Sequence, residues 1–316
     1  MGKIRSLYPN CLVSCVIAAD THIDVKHPTP WLPQLFLRRA LSDSAGAKTE
    51  QDAFIILGDT TSRGNKANWR LTEKCFKKYA SPAKRIFLEL GNHDTWNDEG
   101  YESAIRCYKD ALRTICGEAP ALPYFSAELN GFCFLFMGSV GDSGGFPLLG
   151  AEQLKWLESS LAAGTAAGRP AFVINHEPLN GRHGLPMTAD ADGTPDADPS
   201  DGGIGPESDA LAAILKKYRN VFYFSGHSHM GFCGERSLRE RRFASFEEED
   251  GLVLVNLPSN ACGNHHGEND RNCVGAVLEV YADRVAIRPR DFLLHKWFKR
   301  VPVQNGRPFY EKKLCR

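Results

Sequence analysis

The sequence predicts an α/β fold in which a second sheet completes the C-terminal part. Three observations support this prediction. Short apolar runs alternate with amphipathic segments over most of the chain, the last hundred residues are rich in strand-like runs, and polar clusters follow directly after five of the runs. Strands that alternate with helices are typical of α/β proteins, and the strand-rich last hundred residues favour a second sheet.

The individual elements follow from the spacing of apolar residues. Runs with the length of buried strands lie at residues 12–18, 53–57, 85–90, 132–137, 171–174, 221–224, 252–255, 274–281 and 284–288. Segments with helical spacing lie at residues 30–41, 66–79, 99–115, 151–163 and 207–218. No long linker divides them, so we expect one domain over residues 1–316. Residues 10–230 carry the motifs described below, and residues 231–316 form the strand-rich part.

Composition argues against two classes of protein. Lys and Arg number 38, and Asp and Glu also number 38, so the formal net charge is zero. General nucleic-acid-binding proteins carry a basic excess, and we expect no such binding here. No apolar run approaches the roughly 20 residues that span a bilayer, so we expect no membrane partner. We interpret the acidic run at residues 247–250 as a solvated turn.

The chain contains ten cysteines. Several of them, such as Cys15 and Cys133, lie in apolar strand-like runs, where a free thiol packs as a small core residue. A chain of 316 residues is also too large to need disulfides for its stability. We therefore expect reduced thiols in a cytoplasmic protein. The sequence leaves the oligomeric state open.

Five polar clusters each follow an apolar strand-like run. They are Asp20-Thr21-His22, Gly58-Asp59, Gly91-Asn92-His93-Asp94, Asn175-His176-Glu177 and Gly226-His227-Ser228-His229. In open α/β sheets, sites form where the carboxyl ends of the strands meet. The five clusters are therefore expected to converge on one crevice.

The converging side chains have the chemistry of metal ligands. The candidates are Asp20, His22, Asp59, Asn92, His176, His227 and His229. Carboxylate, amide and imidazole donors together suit Mn, Fe or Zn ions better than Ca²⁺. Seven donors are too many for one ion, but they suffice for two ions that share a carboxylate. Two ions roughly 3.5–4 Å apart can clamp the attacking and leaving oxygens of a phosphoryl displacement. The sequence thus predicts two divalent or trivalent metal ions per chain.

The ordered set resembles the signature of the calcineurin-like metallophosphoesterase superfamily. That signature runs Asp-x-His, Gly-Asp, Gly-Asn-His-(Asp/Glu), His and Gly-His-x-His. A single Asp-x-His or Gly-Asp is common by chance, but all five parts occur here in order from Asp20 to His229. The purple acid phosphatases of this superfamily place a Tyr ligand shortly after Gly-Asp, and residues 59–64 contain no Tyr. The spacing looks closer to class III cyclic-nucleotide phosphodiesterases and their bacterial relatives.

The resemblance implies two packed mixed β-sheets flanked by helices, a four-layer arrangement with the metal site at the strand ends. It implies one metal on Asp20, His22 and His229, a second on Asn92, His176 and His227, and Asp59 as the bridge. His93 would bind the substrate phosphate next to Asn92 and protonate the leaving oxygen. Asp94 would hydrogen-bond His93 and raise its basicity.

Other residues near these motifs have two interpretations each. Arg182 and His183 follow His176 and either contact a substrate phosphate or form an exposed loop pair. Trp96 and Tyr101 either stack on a substrate ring or pack a helix onto the sheet. These alternatives are left open by the sequence.

Two loops are candidates for setting the substrate. Residues 187–206 are rich in Asp, Gly and Pro without periodicity, and residues 262–273 are rich in Asn, Gly and His. A structural zinc site on Cys262, His265, His266 and Cys273 is a weaker interpretation, because the spacing does not fit a Cys-x2-Cys knuckle.

The residues and the resemblance together predict a metal-dependent hydrolase of small phosphorylated substrates. A phosphodiesterase that uses a metal-bridging hydroxide is the leading hypothesis. A phosphomonoesterase or a pyrophosphate hydrolase would use the same site. A non-catalytic metal-binding scaffold is the alternative from another class of protein, and the intact ligand set and His93 argue against it.

Overall fold

The computed structural model describes residues 2–79, 85–141, 147–185, 202–238, 241–261 and 271–315. Its strands are β1 (Val13–Ala18), β2 (Ala53–Ile56), β3 (Arg85–Leu88), β4 (Phe125–Leu129), β5 (Phe132–Phe136), β6 (Ala171–Ile174), β7 (Val221–Ser225), β8 (Arg236–Leu238), β9 (Arg241–Phe243), β10 (Phe246–Glu249), β11 (Leu252–Asn256), β12 (Val274–Val280), β13 (Arg284–Asp291), β14 (Lys296–Trp297) and β15 (Tyr310–Lys313). Its α-helices are α1 (Trp31–Ala45), α2 (Lys66–Tyr79), α3 (Asn92–Thr95), α4 (Tyr101–Cys116), α5 (Gly150–Gly164) and α6 (Ser208–Leu215). Two 3-10 helices lie at Ala166–Gly168 and Gly205–Glu207.

The strands form two large mixed sheets. The first has the order β14-β13-β12-β1-β2-β3, with β15 also paired to β13, and the second has the order β10-β11-β7-β6-β5-β4. Strands β1, β2 and β3 are parallel, whereas β12 runs antiparallel to β1. In the second sheet β5, β6, β7 and β11 are parallel, and β4 and β10 are antiparallel to their neighbours. The prediction of mixed sheets is confirmed. Among the described residues, however, the strand-rich end does not form a large sheet of its own, because β12 to β15 extend the sheet of β1 to β3, and β10 and β11 extend the sheet of β4 to β7.

The packing produces four layers. Side chains from both sheets, such as Ile17 and Phe172, meet in a central core. The Phe172 ring lies 4.6 Å from that of Phe134 on the neighbouring strand, as measured between ring centroids. Because successive side chains of a strand point to opposite faces, Val16 belongs to a second core that includes residues of α1, α2 and α4. A third core lies between the second sheet and helices α5 and α6. Strands covered on both faces need continuous apolar runs, which is why the sequence shows them.

The two sheets bring their strand ends together at one edge. The backbone N–H of Asp20 donates to the carbonyl of Gly58 at 3.2 Å, which joins the chain after β1 to the chain after β2. The N–H of Gly226 donates to the carbonyl of His176 at 2.9 Å, which does the same for β7 and β6. The N–H of His227 donates to the carboxylate of Asp20 at 3.2 Å, which joins the two sheets. The polar clusters therefore lie side by side, as the sequence predicts.

The acidic run at residues 247–250 differs from its prediction. It forms most of β10, an edge strand paired with β11, and its carboxylates bind distant cations. Glu248 pairs with Lys312, and Glu249 pairs with Arg182 and Lys216. The sequence alone indicates a solvated turn, because these partners are far away along the chain.

The nine cysteines among the described residues form no disulfide with one another. The tenth, Cys262, lies outside the described residues, as do His265 and His266, so the weaker zinc interpretation remains a hypothesis. None of the described helices has the length and apolar character that crossing a bilayer requires.

Candidate metal centre

The chain turns sharply after each of the strands that lead to the centre. Five of the predicted ligands have a positive φ: Asp20 at 52°, His22 at 42°, Asp59 at 47°, His227 at 66° and His229 at 47°. Residues other than glycine rarely adopt this conformation. Such strain persists only where the surrounding structure enforces it, and it concentrates at functional sites. The turns aim these side chains back into the crevice.

Two glycines allow the carboxylates to approach the backbone. A Cβ atom on Gly91 would lie 2.2 Å from Asp59 Oδ1, and one on Gly226 would lie 2.5 Å from Asp20 Oδ2. Both distances are far below a van der Waals contact. The glycines of the third and fifth motifs are therefore required by the space that the two aspartates occupy.

The first group of donors consists of Asp20, His22 and His229. Asp20 Oδ1 lies 3.1 Å from His229 Nε2 and 3.8 Å from His22 Nε2. The two imidazole Nε2 atoms are 3.1 Å apart. The carboxylate is fully buried, and both rings are largely buried. Three donor atoms therefore point at a common centre.

The second group of donors lies beside the first. Asp59 Oδ2 is 3.2 Å from His176 Nε2, and His227 Nδ1 is 3.3 Å from the same His176 atom. Asn92 Oδ1 lies 3.1 Å from His227 Nδ1. Asp59 Oδ2 is also 3.6 Å from His22 Nε2. Asp59 therefore lies between the two groups, in the position that a shared ligand would need.

Burial and charge act in opposite directions on these acids. Burial alone would raise the pKa of Asp20, but His229 and His176 hold that pKa well below its usual range. The pKa of Asp59 is likewise lowered, because His176 and His93 outweigh the effect of burial. Burial, assisted by His176, lowers the pKa of His227 to about 3. The centre therefore presents ionised carboxylates together with a neutral imidazole at His227.

This donor set fits metal ions. Three groups each have ligand atoms within 4.8 Å of one another, namely Asp20-His22-His229, His22-Asp59-His93 and Asp59-His176-His227. The facing Nε2 atoms of His22 and His229 are 3.1 Å apart, so they can share one proton in a hydrogen bond or both offer lone pairs to a cation. Nitrogen and carboxylate oxygen donors together suit first-row metal ions.

The comparison with known families shows the family to which this chain belongs. The family model described as calcineurin-like phosphoesterase matches residues 14–231. The chain belongs to this family. The match spans every motif from Asp20 to His229, so the family and the donor groups together support metal-dependent hydrolysis of phosphoesters.

Solved structures share the fold of this phosphoesterase. A dimetal phosphatase from Danio rerio has a TM-score of 0.57 and 13% identity, with 90% of this chain and 97% of that chain covered. A purple acid phosphatase from yellow lupin (Lupinus luteus) has a TM-score of 0.58 and 13% identity, with 90% of this chain but only 52% of that chain covered. At such identity the likeness concerns the fold alone. No curated protein matches the sequence.

Backbone carbonyls orient two of the histidines of this phosphoesterase. His176 Nδ1 lies 2.7 Å from the carbonyl of Leu57, and His93 Nδ1 lies 3.0 Å from that of Ser62. A carbonyl only accepts, so each Nδ1 carries the proton and each Nε2 faces the centre. Sequence reasoning missed both contacts, since a backbone carbonyl has no residue signature.

A buried acid behind the centre was also missed. Glu89 Oε1 accepts the backbone N–H of His176 at 2.7 Å, and the residue is 1% exposed. Burial raises its pKa well above the usual range. The signal in the sequence was a carboxylate inside the apolar run that contains β3.

The expected hydrogen bond between Asp94 and His93 is wrong. The carboxylate of Asp94 accepts instead from the backbone N–H of Thr60 at 3.0 Å, of Thr61 at 2.8 Å and of Gly91 at 3.2 Å. Asp94 and His93 are successive residues of α3, and successive helical residues do not face each other. Asp94 thus holds together the loops that follow β2 and β3, which carry Asp59 and Asn92.

Arg182 and His183 have partners of their own. The guanidinium of Arg182 pairs with Glu249. His183 is 1% exposed, and its Nδ1 lies 2.7 Å from the carbonyl of Ala244. These contacts join the chain after β6 to β10. The buried His183 differs from the exposed loop residue of one interpretation, and a contact of either side chain with a substrate phosphate stays a prediction.

A cavity of about 300 Å³ opens beside the centre. It is lined by Asn92 and Glu177, and by Arg63, Trp96 and Tyr101 further out. The Trp96 and His93 ring centroids are 4.1 Å apart. Most of the predicted substrate loop at residues 187–206, and residues 262–270 of the other, lie outside the described residues.

Proposed function

We propose that this phosphoesterase is a phosphodiesterase with a dinuclear metal centre. Asp20, His22 and His229 would hold one ion, Asn92, His176 and His227 the other, and Asp59 would bridge them. When bound, paired Mn, Fe or Zn ions would supply a water of lowered pKa as the nucleophile and would neutralise charge on the phosphoester oxygens. The single observation that carries this proposal is the position of Asp59 between two groups of buried donors.

His93 is the general acid in this proposal. Its side chain is 29% exposed, whereas the Asp59 side chain beside it is 2% exposed. Its Nε2 is 4.0 Å from Asp59 Oδ2 and faces the crevice, because Nδ1 is held by Ser62. A protonated Nε2 would reach the leaving oxygen of an ester bound to the centre, and the departing alcohol would take that proton.

The charges around the cavity favour a diester over a monoester. Among the described residues that line it, Arg63 is the one cation, and it pairs with Asp98 at 3.2 Å. Glu177 contributes a carboxyl group. A diester carries one negative charge and a monoester close to two at neutral pH. The diester therefore needs less positive charge from the protein to offset its own.

The test compares bis-p-nitrophenyl phosphate with p-nitrophenyl phosphate, with added Mn²⁺. We expect about two metal ions per chain by mass spectrometry and a higher kcat/KM for the diester. Asp59→Asn should abolish turnover, while Asp110→Asn, on the exposed face of α4, should retain it. A preference for the monoester would assign a phosphomonoesterase, and bound metal without any turnover would favour the scaffold hypothesis.

A further inference from the structure

We infer that the cavity beside the metal centre is a binding site for a planar aromatic ring, carried by the alcohol that leaves the phosphorus. Trp96 provides the surface on which this ring stacks. The inference rests on the proposed function, because it describes the substrate of the same centre. It adds the chemical class of the leaving group, which the metal ligands leave undefined.

Trp96 is exposed although its backbone is fixed. The residue is 49% exposed, and it lines the cavity. Its N–H donates to the carbonyl of His93 at 3.3 Å, and its carbonyl accepts the N–H of Gly64 at 2.9 Å. Single exposed apolar side chains are common on protein surfaces, so the distinguishing feature of Trp96 is its position in the cavity and beside His93. The backbone hydrogen bonds thus hold Trp96 in a defined position, with about half of its surface exposed.

The other aromatic residue of the cavity is used differently. The hydroxyl of Tyr101 donates to the carbonyl of Ser139 at 2.7 Å, and its ring packs against the core under α4. Tyr101 therefore attaches α4 to the rest of the fold. Of the two alternatives that the sequence leaves open for this pair, packing applies to Tyr101 and ring stacking to Trp96.

The position of Trp96 identifies which part of the substrate it contacts. Its ring lies 4.1 Å from that of His93, between centroids, with a tilt of 44°. His93 donates its proton to the leaving oxygen, so the group bonded to that oxygen departs on the side of Trp96. A volume of about 300 Å³ is at the lower end of small-molecule sites. One ring or two fused rings fit, whereas a larger ligand would extend into solvent.

The outer rim supplies a polar border. Arg63 and Asp98 form an ion pair whose side chains are 50% and 84% exposed. Exposed pairs of this kind contribute little stability, so they separate readily to contact polar substituents of a ring. A flat apolar surface with a polar rim is suited to an aromatic group and discriminates against a saturated one of equal size.

The test compares two diesters, methyl benzyl phosphate and methyl cyclohexylmethyl phosphate. Their leaving alcohols are similar in size and acidity, but only one contains a planar ring. Release of each alcohol is followed by chromatography with the Mn²⁺-loaded enzyme. We expect kcat/KM to be roughly threefold to tenfold higher for the benzyl ester, the range that an aromatic pair adds beyond the area that it buries.

Three variants assign the preference to Trp96. Trp96→Leu keeps an apolar side chain without a ring, and it should bring the ratio of the two kcat/KM values close to one. Trp96→Phe should restore most of the preference. Trp31→Leu is the matched control, since Trp31 is 62% exposed at the start of α1 and does not line the cavity.

The ratio within each variant separates recognition from a disturbance of His93. A displaced His93 would slow the hydrolysis of both esters equally and leave the ratio of their kcat/KM values unchanged. Wild-type enzyme that hydrolyses both esters without a preference, or Trp96→Leu with an unchanged ratio, would overturn the ring site while leaving the proposed function intact. Hydrolysis of neither these esters nor bis-p-nitrophenyl phosphate would instead overturn the proposed function.

Discussion

The side chain of His93 is held by the backbone of Ser62, with 3.0 Å between Nδ1 and the carbonyl oxygen. This contact fixes the tautomer, because the carbonyl accepts a hydrogen bond and cannot donate one. The opposite nitrogen, Nε2, is therefore the atom that exchanges a proton with the substrate. Two sets of contacts hold Ser62 in this position. The carboxylate of Asp94 accepts the backbone N–H groups of Thr60 and Thr61. The backbone of Ile23 accepts the N–H of Ser62 and donates to the carbonyl of Thr60.

Replacing His93 should slow the hydrolysis of esters, and the effect should be largest for leaving groups that need a proton to depart. For His93→Gln we expect kcat to fall roughly 10²–10⁴-fold with an alkyl leaving group. With p-nitrophenolate, which leaves as a stable anion, the loss should be much smaller. His27→Gln is the control, since His27 lies outside the motifs. Equal losses for both leaving groups would rule out His93 as the acid.

Asp94→Asn should lower the free energy of unfolding and weaken metal binding without shifting the pH dependence of kcat. An amide cannot accept all the backbone N–H donors that the carboxylate accepts, and an unpaired buried donor costs about 1–3 kcal/mol. We expect a lower free energy of unfolding in urea and fewer metal ions per chain than in the exposed variant Asp110→Asn. The pKa values of kcat should match those of wild type, because Asp94 does not contact His93. A shifted profile would restore the role that the sequence suggested.

Gly91→Ala should disrupt the bridge between the two donor groups. The added methyl would lie 2.2 Å from Asp59 Oδ1 and 2.3 Å from Asp59 N, so the aspartate and its backbone must move. Metal content should fall from about two ions per chain to less than one. Gly46→Ala is a suitable control, because its nearest contact is 3.3 Å away at the end of α1. Full metal content in Gly91→Ala would show that Asp59 is not held by this close approach.

The sequence predicts most elements and the convergence of the seven candidate ligands for one physical reason. Strands covered on both faces are apolar throughout, and the residue at which each run ends marks the edge of the sheet. The sequence could not show in which direction a side chain points, or which residues far apart in the chain form pairs. His93 and Asp94 are neighbours in the chain yet point apart from α3, and Arg182 meets Glu249 across 67 positions. Trp96 could be assigned to the cavity only once its exposure was known.

Glu279 should make stability depend on pH in the direction opposite to that of most acids. It lies in β12 with no exposed surface, and burial raises its pKa although Arg288 at 3.0 Å opposes the shift. The folded state therefore holds its proton at a pH where the unfolded chain, with a pKa near 4.5, has released it. The stabilisation is complete below about pH 4.5 and is lost as pH rises towards the folded pKa.

Urea unfolding of metal-free wild type and Glu279→Gln from pH 4 to pH 8 measures this effect. Glutamine has no proton to release, so the variant lacks this contribution to the pH dependence. The stability of wild type relative to the variant should decline as pH rises from about 4.5. A relative stability that instead increases with pH would mean that the ion pair with Arg288 outweighs burial, and that the folded pKa of Glu279 lies below its usual range.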